Sequence, residues 1–329
     1  MSIHHAYLFV ITFALSASCV YHSSIVARRL KFLISPRGVS ITGGISIGLI
    51  YGLFFFIPFM QRSFLFADSS GIILLGLFVL AGEVLDDVRE LSVIGKVIIQ
   101  IIACVFLIGS GVRTHIFFLN TAANVVVSAV WIIAITNAFN LLDIMDGLCA
   151  GVTIVIASGL LFVCILSNDM QNAVLLLVMI GSVGGFLMSN MPPAKVYLGN
   201  AGSHFLGFML AAISINISYA SLNHEVSLLS PLLIMGFPIY DTFFVAFLRL
   251  KKGKSAIKKS KDHLVLRFIR TGYSQKRALF YMIVLTLLFV VSGIIISRAG
   301  NWAGAAVILC VLVCIFALTV KMSGVHVDG

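Results

Sequence analysis

Charged residues are scarce in this chain: only 10% of its 329 residues are Asp, Glu, Lys or Arg, whereas 60% are hydrophobic. A soluble domain of this length does not need so much apolar surface. The composition therefore excludes an ordinary water-soluble protein and indicates a polytopic membrane protein. No internal repeat, low-complexity tract or separate soluble domain interrupts the pattern, so we expect one integral membrane domain over residues 1–329.

Cysteine and nucleotide-binding signals are also limited. The six cysteines lie in or beside apolar stretches and show neither CxxC spacing nor a secreted disulfide pattern. We interpret them as small buried hydrophobic residues rather than metal ligands. The GxxxxGK[ST] pattern of a P-loop is absent as well. These absences exclude a cysteine-based metal centre and a P-loop nucleotide site.

Long apolar runs dominate the remainder of the chain. The first run has no positively charged segment before it and no convincing cleavage site, so we expect it to be retained as a span. Runs of 17 to 25 apolar residues predict about eleven transmembrane helices and an all-α fold. They lie near residues 6–26, 40–60, 70–86, 96–112, 122–142, 150–168, 171–190, 201–221, 226–248, 277–297 and 302–321.

The basic residues predict the orientation of these spans. With the N-terminus outside and the C-terminus cytoplasmic, all but three of the 22 Lys and Arg residues fall on the cytoplasmic side. This distribution accounts for the net charge of +10 without a nucleic-acid partner. Most carboxylates fall near the same face, although acidic residues contribute little to orientation. The acidic and basic residues on this face together predict a site for a divalent metal and a phosphate group on the cytoplasmic side.

The string LAGEVLDDVRELS places Asp86 and Asp87 at the end of the third span. Neighbouring residues on a helix point in different directions, so both acids can serve one site only if the helix ends there. An ordinary polar helix end in contact with water is the alternative interpretation. Two adjacent carboxylates beside hydrocarbon favour a functional site.

A second polar string, NAFNLLDIMDG, follows the fifth span. Its amides and carboxylates recur every three residues, which predicts one polar helical face made of Asn137, Asn140, Asp143 and Asp146. Such a face is costly in lipid and must contact protein, water or a ligand. Polar packing between helices is the alternative. Gly147 allows the helix to break or the backbone to approach another group closely.

Two further strings carry polar groups. In VYLGNAGS, a glycine-rich turn containing Tyr197 and Asn200 leads into a helix, whose N-terminal N–H groups can bind an anion. The basic connection over residues 249–276 contains His263, which can donate to phosphate, although such loops also serve simply to set topology. Asp241, within the ninth span, needs a partner.

These strings, in this order, resemble the polyprenyl-phosphate N-acetylhexosamine-1-phosphate transferases, the glycosyltransferase family 4 group that contains MraY and WecA. The resemblance runs nearly end to end, and Lys96 falls where a family lysine is expected. It rests on SPRGVSITGGISI, LDDVRELS, NAFNLLDIMDGLCAG, VYLGNAGSHFLG, PIYDTFFVAFLRL and DHLVLRFIRTGYS.

The resemblance implies an enzyme that transfers a sugar-1-phosphate from a UDP-sugar to undecaprenyl phosphate with Mg²⁺, or Mn²⁺ in its place, and releases UMP. It implies catalytic roles for Asp86, Asp87, Asp143, Asp146 and His263, and metal ligation by Asp86, Asp87 and Asn200. Substrate contacts are expected from Asn137, Asn140, Lys96 and Arg267, and from Tyr197, which matches an aromatic that stacks on uracil. We therefore expect a multi-pass protein of the bacterial inner membrane that initiates cell-surface polysaccharide synthesis, such as O-antigen or capsule.

Four departures from the family pattern suggest a divergent branch. Asn200 stands where the family usually carries a metal-binding Asp, and Ile144 replaces a glycine. Only His263 is kept of a histidine motif that often has two or three, and Ile41-Thr42 stands where a basic residue is common. An ion-coupled secondary transporter and an inactive assembly scaffold are the alternative functions. The sequence does not identify the sugar or the pathway, and it does not show whether the protein forms a homodimer.

Overall fold

The computed structural model describes residues 3–60, 69–89, 91–219, 225–255 and 260–325, with side chains omitted at residues 3–4 and 55–60. Within these ranges the chain is all-helical, as predicted, and has two isolated β-bridges but no strand. A short 3₁₀ helix spans Glu225–Leu229. The α-helices are α1 (Ile3–Leu30), α2 (Gly43–Met60), α3 (Ser70–Arg89), α4 (Val93–Gly109), α5 (Thr121–Leu142), α6 (Leu148–Leu166), α7 (Met170–Asn190), α8 (Gly199–Asn216), α9 (Ser230–Ile234), α10 (Gly236–Lys251), α11 (Leu264–Arg270), α12 (Gln275–Ile296) and α13 (Asn301–Ser323).

A helix, or a bent helix pair, lies at each of the predicted span positions. Among the described residues, 6 helices are long and apolar enough to cross a membrane, or 7 if the bent pair counts as one span. The 6 are α1, α5, α6, α7, α12 and α13. These helices support a polytopic membrane protein. The number of eleven spans, the orientation and the membrane face of the site stay predictions.

The expectation of one continuous span over residues 226–248 is wrong. The helices α9 and α10 meet at Met235 with a bend of 70°. Pro238 lies in the first turn of α10, where N–H groups have no partner within the helix, so the proline is tolerated there. The absence of a side chain at Gly236 also lets α12 approach: a Cβ there would lie 2.3 Å from the Phe289 ring.

The basic connection over 249–276 is likewise not one continuous loop. The helix α10 continues to Lys251, α11 occupies the middle of the segment and α12 begins at Gln275. Residues 256–259, with two of the predicted basic residues, lie outside the described part. The helical content follows the apolar residues of LVLRFIR, which pack into the protein: Leu264 and Val265 are buried.

The chain divides into two compact units, Met1–Ser218 and Tyr219–Gly329. The single-domain interpretation stays a prediction. In the first unit α8 is the central helix, because every residue from Ala201 to Ser214 is buried. A helix that is buried on all sides must be surrounded by others, and α8 packs against α2, α3 and α5. The backbones of α2 and α8 approach closely, since a Cβ on Gly44 would lie 2.3 Å from Gly202 N.

The second unit contains α9 to α13. Its last helix departs from the expectation that every cysteine is buried: Cys310 and Cys314 on α13 are exposed, whereas Cys104, Cys149 and Cys164 in the first unit are buried. Along α13 only two residues are buried in the described protein. An apolar helix can expose such residues where lipid replaces protein contacts, because lipid tails are as apolar as leucine.

Candidate active site

The end of α3 meets the first turn of α8 in the first unit. The Oδ1 and Oδ2 atoms of Asp87 accept hydrogen bonds from the N–H groups of Asn200 and Ala201, each at 3.2 Å. A negative charge is favoured at a helix N-terminus by the helix dipole. The sequence predicted that this helix start can bind an anion, and Asp87 is the anion that these two N–H groups contact.

Gly199 makes this contact between α3 and α8 feasible. Its φ is +80°, a conformation that residues with a side chain rarely adopt. A Cβ at this position would also lie 2.5 Å from Ile41 Cγ2 and 2.9 Å from Asp87 Oδ2. Both the backbone conformation and the available space therefore require glycine, and the absent side chain leaves room for the carboxylate.

Asp86 is the more heavily engaged of the two adjacent acids. Its Oδ1 accepts the Leu91 N–H at 2.8 Å. Its Oδ2 lies 2.6 Å from the Lys96 Nζ and accepts from the Asn200 Nδ2 at 3.0 Å. Because α3 ends at Arg89, as the acidic pair required, both carboxylates reach the first turn of α8. The structure therefore brings the predicted residues Asp86, Asp87, Lys96 and Asn200 together.

The polar string after the fifth span is only partly helical. The helix α5 ends at Leu142, Asp143 is its C-cap, and Asp146 lies in the turn before α6. The prediction of one helical face carrying all four polar residues is therefore wrong for the two acids. The three-residue periodicity ends because α5 stops at Leu142, before both acids. Gly147, with a φ of +76°, follows the acids and precedes the first turn of α6.

Protein groups contact three of these four polar residues. Asn140 Oδ1 accepts from the Ser203 hydroxyl of α8 at 3.1 Å. Asn137 Nδ2 donates to Gln100 Oε1 on α4 at 2.8 Å. In the turn, Asp146 Oδ2 accepts the N–H of Ala194 at 2.9 Å. These contacts join α4, α5 and α8 around the acids, and they agree with polar packing as well as with substrate binding.

Asp143 is electrostatically linked to the other acids. Its pKa is raised to about 7, first by desolvation and then by the negative charges of Asp87 and Asp146. Asp143 directly follows α5, whose Asn140 contacts Ser203 of α8, the helix whose first turn binds Asp87. When several carboxylates lie close together, each one disfavours the ionised form of the others unless a cation is present. The arrangement is therefore suited to binding a cation.

The loop between α1 and α2 also contributes to this region. The Tyr197 N–H donates to the Ser40 carbonyl at 2.8 Å, which fixes the segment that precedes α8 against the loop. A hydrogen bond to the Tyr197 side chain, together with the charge of Asp146, raises the pKa of Arg37. No role at the site was predicted for Arg37. Its position in SPRGVSITGG, a polar loop ahead of the paired glycines, is the signal that could have identified it.

In the second unit, the structure supplies the partner that Asp241 required. The Oδ2 of Asp241 lies 2.7 Å from His263 Nδ1, and its Oδ1 accepts the Leu264 N–H at 2.9 Å. The carboxylate therefore holds the start of α11 and orients the imidazole. The role of His263 toward phosphate stays a prediction.

Arg267 is buried in the same unit and binds protein groups. Its NH2 donates to Asp262 Oδ1 at 2.6 Å, and its NH1 donates to the carbonyl groups of Met322 and Val325 at the end of α13. Burial alone would raise the pKa of Asp262, but hydrogen bonds from Lys252, Arg267 and Ser260 lower it. The substrate contact predicted for Arg267 stays a prediction, and its observed contacts indicate an anchor for the C-terminal helix.

We expect Arg267→Ala to lower the stability of the protein, because Asp262 and two carbonyl groups lose a charged donor. Hydrogen bonds to charged groups contribute about 1.5 to 3 kcal/mol each, so the thermal unfolding temperature of the detergent-purified protein should fall clearly. Arg270→Ala is the matched control, since Arg270 lies on the same helix but is exposed. An Arg267→Ala protein with unchanged unfolding temperature and reduced activity would instead support a substrate contact.

The described residues contain no group of three or more His, Cys, Asp or Glu side chains arranged around a common metal position. The polar cluster of the first unit instead combines the carboxylates of Asp86 and Asp87 with the amide of Asn200. Magnesium commonly uses only one or two protein carboxylates and takes its other ligands from water and substrate phosphates. The two carboxylates are therefore ligands of the kind that Mg²⁺ uses, while the Asn200 amide turns its Nδ2 toward Asp86, and metal binding stays a prediction.

Comparison with known proteins shows what this chain is similar to. The sequence profile of "Glycosyl transferase family 4" matches residues 69–218. A Bacillus subtilis protein named as a probable undecaprenyl-phosphate N-acetylglucosaminyl 1-phosphate transferase is 29% identical over 238 residues, which cover 70% of this chain and 66% of that protein. Over these residues the chain is similar to glycosyltransferase family 4.

Two further relatives align with this chain over more of their own length. A Mycobacterium leprae decaprenyl-phosphate N-acetylglucosaminephosphotransferase is 27% identical over 320 residues, covering 84% of this chain and 78% of that protein. A Thermotoga maritima undecaprenyl-phosphate alpha-N-acetylglucosaminyl 1-phosphate transferase is 27% identical over 294 residues, covering 87% and 89%. The family profile includes the acidic cluster between α3, α5 and α8, whereas His263 and Arg267 lie beyond the matched residues.

Proposed function

We propose that this protein moves a sugar-1-phosphate, in particular an N-acetylhexosamine-1-phosphate, from a UDP-sugar to undecaprenyl phosphate. The observation that carries the proposal is the cluster of Asp86, Asp87, Lys96 and Asn200 where α3 meets α8, inside the region that the family profile matches. The three relatives described above are named for the transfer of N-acetylglucosamine phosphate to polyprenyl phosphates.

In the proposed reaction, a phosphate oxygen of the polyprenyl phosphate attacks the phosphorus that carries the sugar. A new diphosphate bond forms, the bond from that phosphorus to the bridging oxygen breaks, and UMP leaves with the bridging oxygen. The groups of the cluster bind and orient the two phosphates, which is the main contribution of protein side chains to phosphoryl transfer.

Asp86, Asp87 and the amide oxygen of Asn200 would hold Mg²⁺, or Mn²⁺ in its place. When bound, the ion neutralises the diphosphate and stabilises the charge that develops on the leaving UMP. The Lys96 ammonium, 2.6 Å from Asp86 Oδ2, is placed to hold a phosphate oxygen beside that carboxylate. Asn140 and Asp143 would engage the nucleotide, Asp146 would support the site, and Tyr197 would stack on uracil with Arg37 beside it.

We further propose that the site opens to the cytoplasm of a bacterium and that the N-terminus lies outside the inner membrane. The distribution of Lys and Arg supports this orientation, since basic residues concentrate on the cytoplasmic side of membrane proteins. The product would then be the first lipid-linked sugar of a surface polysaccharide such as O-antigen or capsule.

A direct test is to incubate the purified protein with undecaprenyl phosphate, Mg²⁺ and a panel of UDP-N-acetylhexosamines, and to measure UMP release. We expect release from one donor that stops when either the lipid or Mg²⁺ is omitted. Lipid-independent release would indicate a hydrolase. No release from any donor, with folded protein and an active relative assayed in parallel, would contradict the proposal and favour an assembly scaffold.

We expect Asn200→Asp to preserve or raise turnover and to lower the Mg²⁺ concentration needed for half-maximal activity. The substitution adds a negative ligand to the proposed metal site, but it also places a carboxylate where Asn200 Nδ2 donates to Asp86, which is unfavourable without a cation. The variant should therefore unfold at lower temperature in EDTA and recover with Mg²⁺. Asn216→Asp, at the other end of α8, is the control. Complete loss of turnover in Asn200→Asp would count against Asn200 as a metal ligand.

A further inference from the structure

A buried acid and a buried imidazole lie one helical turn below the cluster, where α3 packs on α8. Glu83 is 0% exposed and His204 is 1% exposed, and Glu83 Oε2 lies 3.3 Å from His204 Nδ1. The reaction proposed above gives neither side chain a role. Ionisable residues inside a helical membrane protein are costly, so this pair requires an explanation.

The hydrogen bonding of Glu83 is incomplete. Among the described residues, neither of its buried carboxyl oxygens has a hydrogen-bond partner. His204 Nδ1 lies closer to the Asn200 carbonyl, at 2.9 Å, than to the carboxylate. One N–H group cannot serve both acceptors well, and a buried acceptor without a donor costs about 1 to 3 kcal/mol. Packing alone does not explain why an acid and an imidazole are buried here, because two apolar side chains of similar volume often give equal or greater stability.

Both members of the pair connect directly to the cluster. Glu83 precedes Asp86 by three residues and Asp87 by four, so the three acids lie on neighbouring positions of one face of α3. His204 contacts the carbonyl of Asn200, whose side chain donates to Asp86 Oδ2. Glu83, His204, Asn200 and Asp86 therefore form a chain of contacts between the two helices.

We propose that Glu83 and His204 act together as positioning residues of the transferase site, an inference that rests on the function proposed above. The imidazole holds the Asn200 carbonyl, and the Glu83 carboxylate of the opposite helix lies 3.3 Å from the same Nδ1 and limits where the ring can stand. The first turn of α8 is thereby kept in register with Asp86 and Asp87. The pair does not touch substrate, and it acts by fixing where the Asn200 amide and the two carboxylates stand.

The test compares steady-state parameters of Glu83→Gln, His204→Phe, His204→Asn and the apolar double variant Glu83→Leu/His204→Phe. We expect Glu83→Gln and His204→Phe to lower kcat roughly 10- to 100-fold, the range for groups that orient the direct ligands of a site. The KM values should stay within about threefold, because substrate contacts are intact. His204→Asn, which keeps a donor near the Nδ1 position, should retain more turnover than His204→Phe. The apolar double variant should fold with a wild-type unfolding temperature and still be slow.

Ser214→Ala is the matched control. Ser214 accepts a hydrogen bond from Trp131 Nε1 at 3.0 Å, so this change removes another buried polar contact of α8 far along the helix. It should leave kcat unchanged. An apolar double variant with wild-type kcat would overturn the inference, as would single variants that are active but unstable, because both results indicate packing alone. If the wild-type protein transfers no sugar phosphate, the proposed function fails first. If the wild-type protein transfers sugar phosphate and the variants are equally active, only the positioning role is rejected.

Discussion

We expect Asp86→Asn to lower sugar-phosphate transfer about 100- to 1000-fold, the loss typical for one preorganised electrostatic group in a reaction centre. The substitution conserves size and leaves an oxygen to accept the Leu91 N–H. It removes the charge that faces the Lys96 ammonium and the proposed cation. The measurement is UMP release at saturating donor and lipid, repeated over a range of Mg²⁺ concentrations. Additional Mg²⁺ should restore the rate only in part, because it can offset weaker binding of the ion but not the lost charge beside Lys96.

Asp169→Asn is a suitable control for this variant. Asp169 is also an acid at a helix end, where its Oδ1 accepts the Asn172 N–H at 3.1 Å, and asparagine caps helices about as well as aspartate. The control should therefore keep both its stability and its turnover. If Asp86→Asn turned over within about threefold of the wild type, Asp86 would have no electrostatic role in the reaction, and the proposed site would have to be placed elsewhere.

The helical architecture was predictable because membrane helices are specified by local composition. Each apolar run marks a segment whose backbone groups must be satisfied internally, so its position follows from hydropathy. The bend at Met235 was missed because the hydropathy of residues 226–248 is continuous, and only the effects of Gly236 and Pro238 on packing and capping produce it. Local composition also did not distinguish α13, with its exposed cysteines, from helices that are buried in protein.

The site was predictable in its residue types and less so in its contacts. Asp86 and Asp87 were identified because acids beside hydrocarbon are costly, and the end of α3 brings both to α8. Periodicity failed at Asp143 and Asp146, because the helix that the three-residue spacing assumes ends at Leu142, before both acids. The N–H groups of α8 were expected to bind an anion, and that anion is the carboxylate of Asp87. Which distant side chain fills a helix N-terminus is decided by tertiary packing, and no local pattern records it.

The second large effect is expected at Gly199, where Gly199→Ala should lower turnover by about 100-fold. A Cβ at this position would lie 2.5 Å from Ile41 Cγ2 and 2.9 Å from Asp87 Oδ2, and contacts below 3.0 Å require something to move. The carboxylate of Asp87 would have to withdraw from the Asn200 and Ala201 N–H groups. A displacement of about 1 Å in a positioned group is enough to cost about 100-fold in rate.

Gly111→Ala separates the effect of this clash from backbone strain. Gly111 has a φ of +101° in the same unit, but a Cβ there would meet nothing within 4 Å. Both alanine variants carry the strain of a positive φ, about 1 kcal/mol or more, so both should unfold at lower temperature. Only Gly199→Ala should also lose activity in the protein that remains folded. Equal turnover in the two variants would mean that the contact between Asp87 and the first turn of α8 stabilises the fold without serving the reaction. A loss confined to Gly199→Ala would instead tie that contact to phosphate transfer, because the two substitutions differ in what the added methyl group meets.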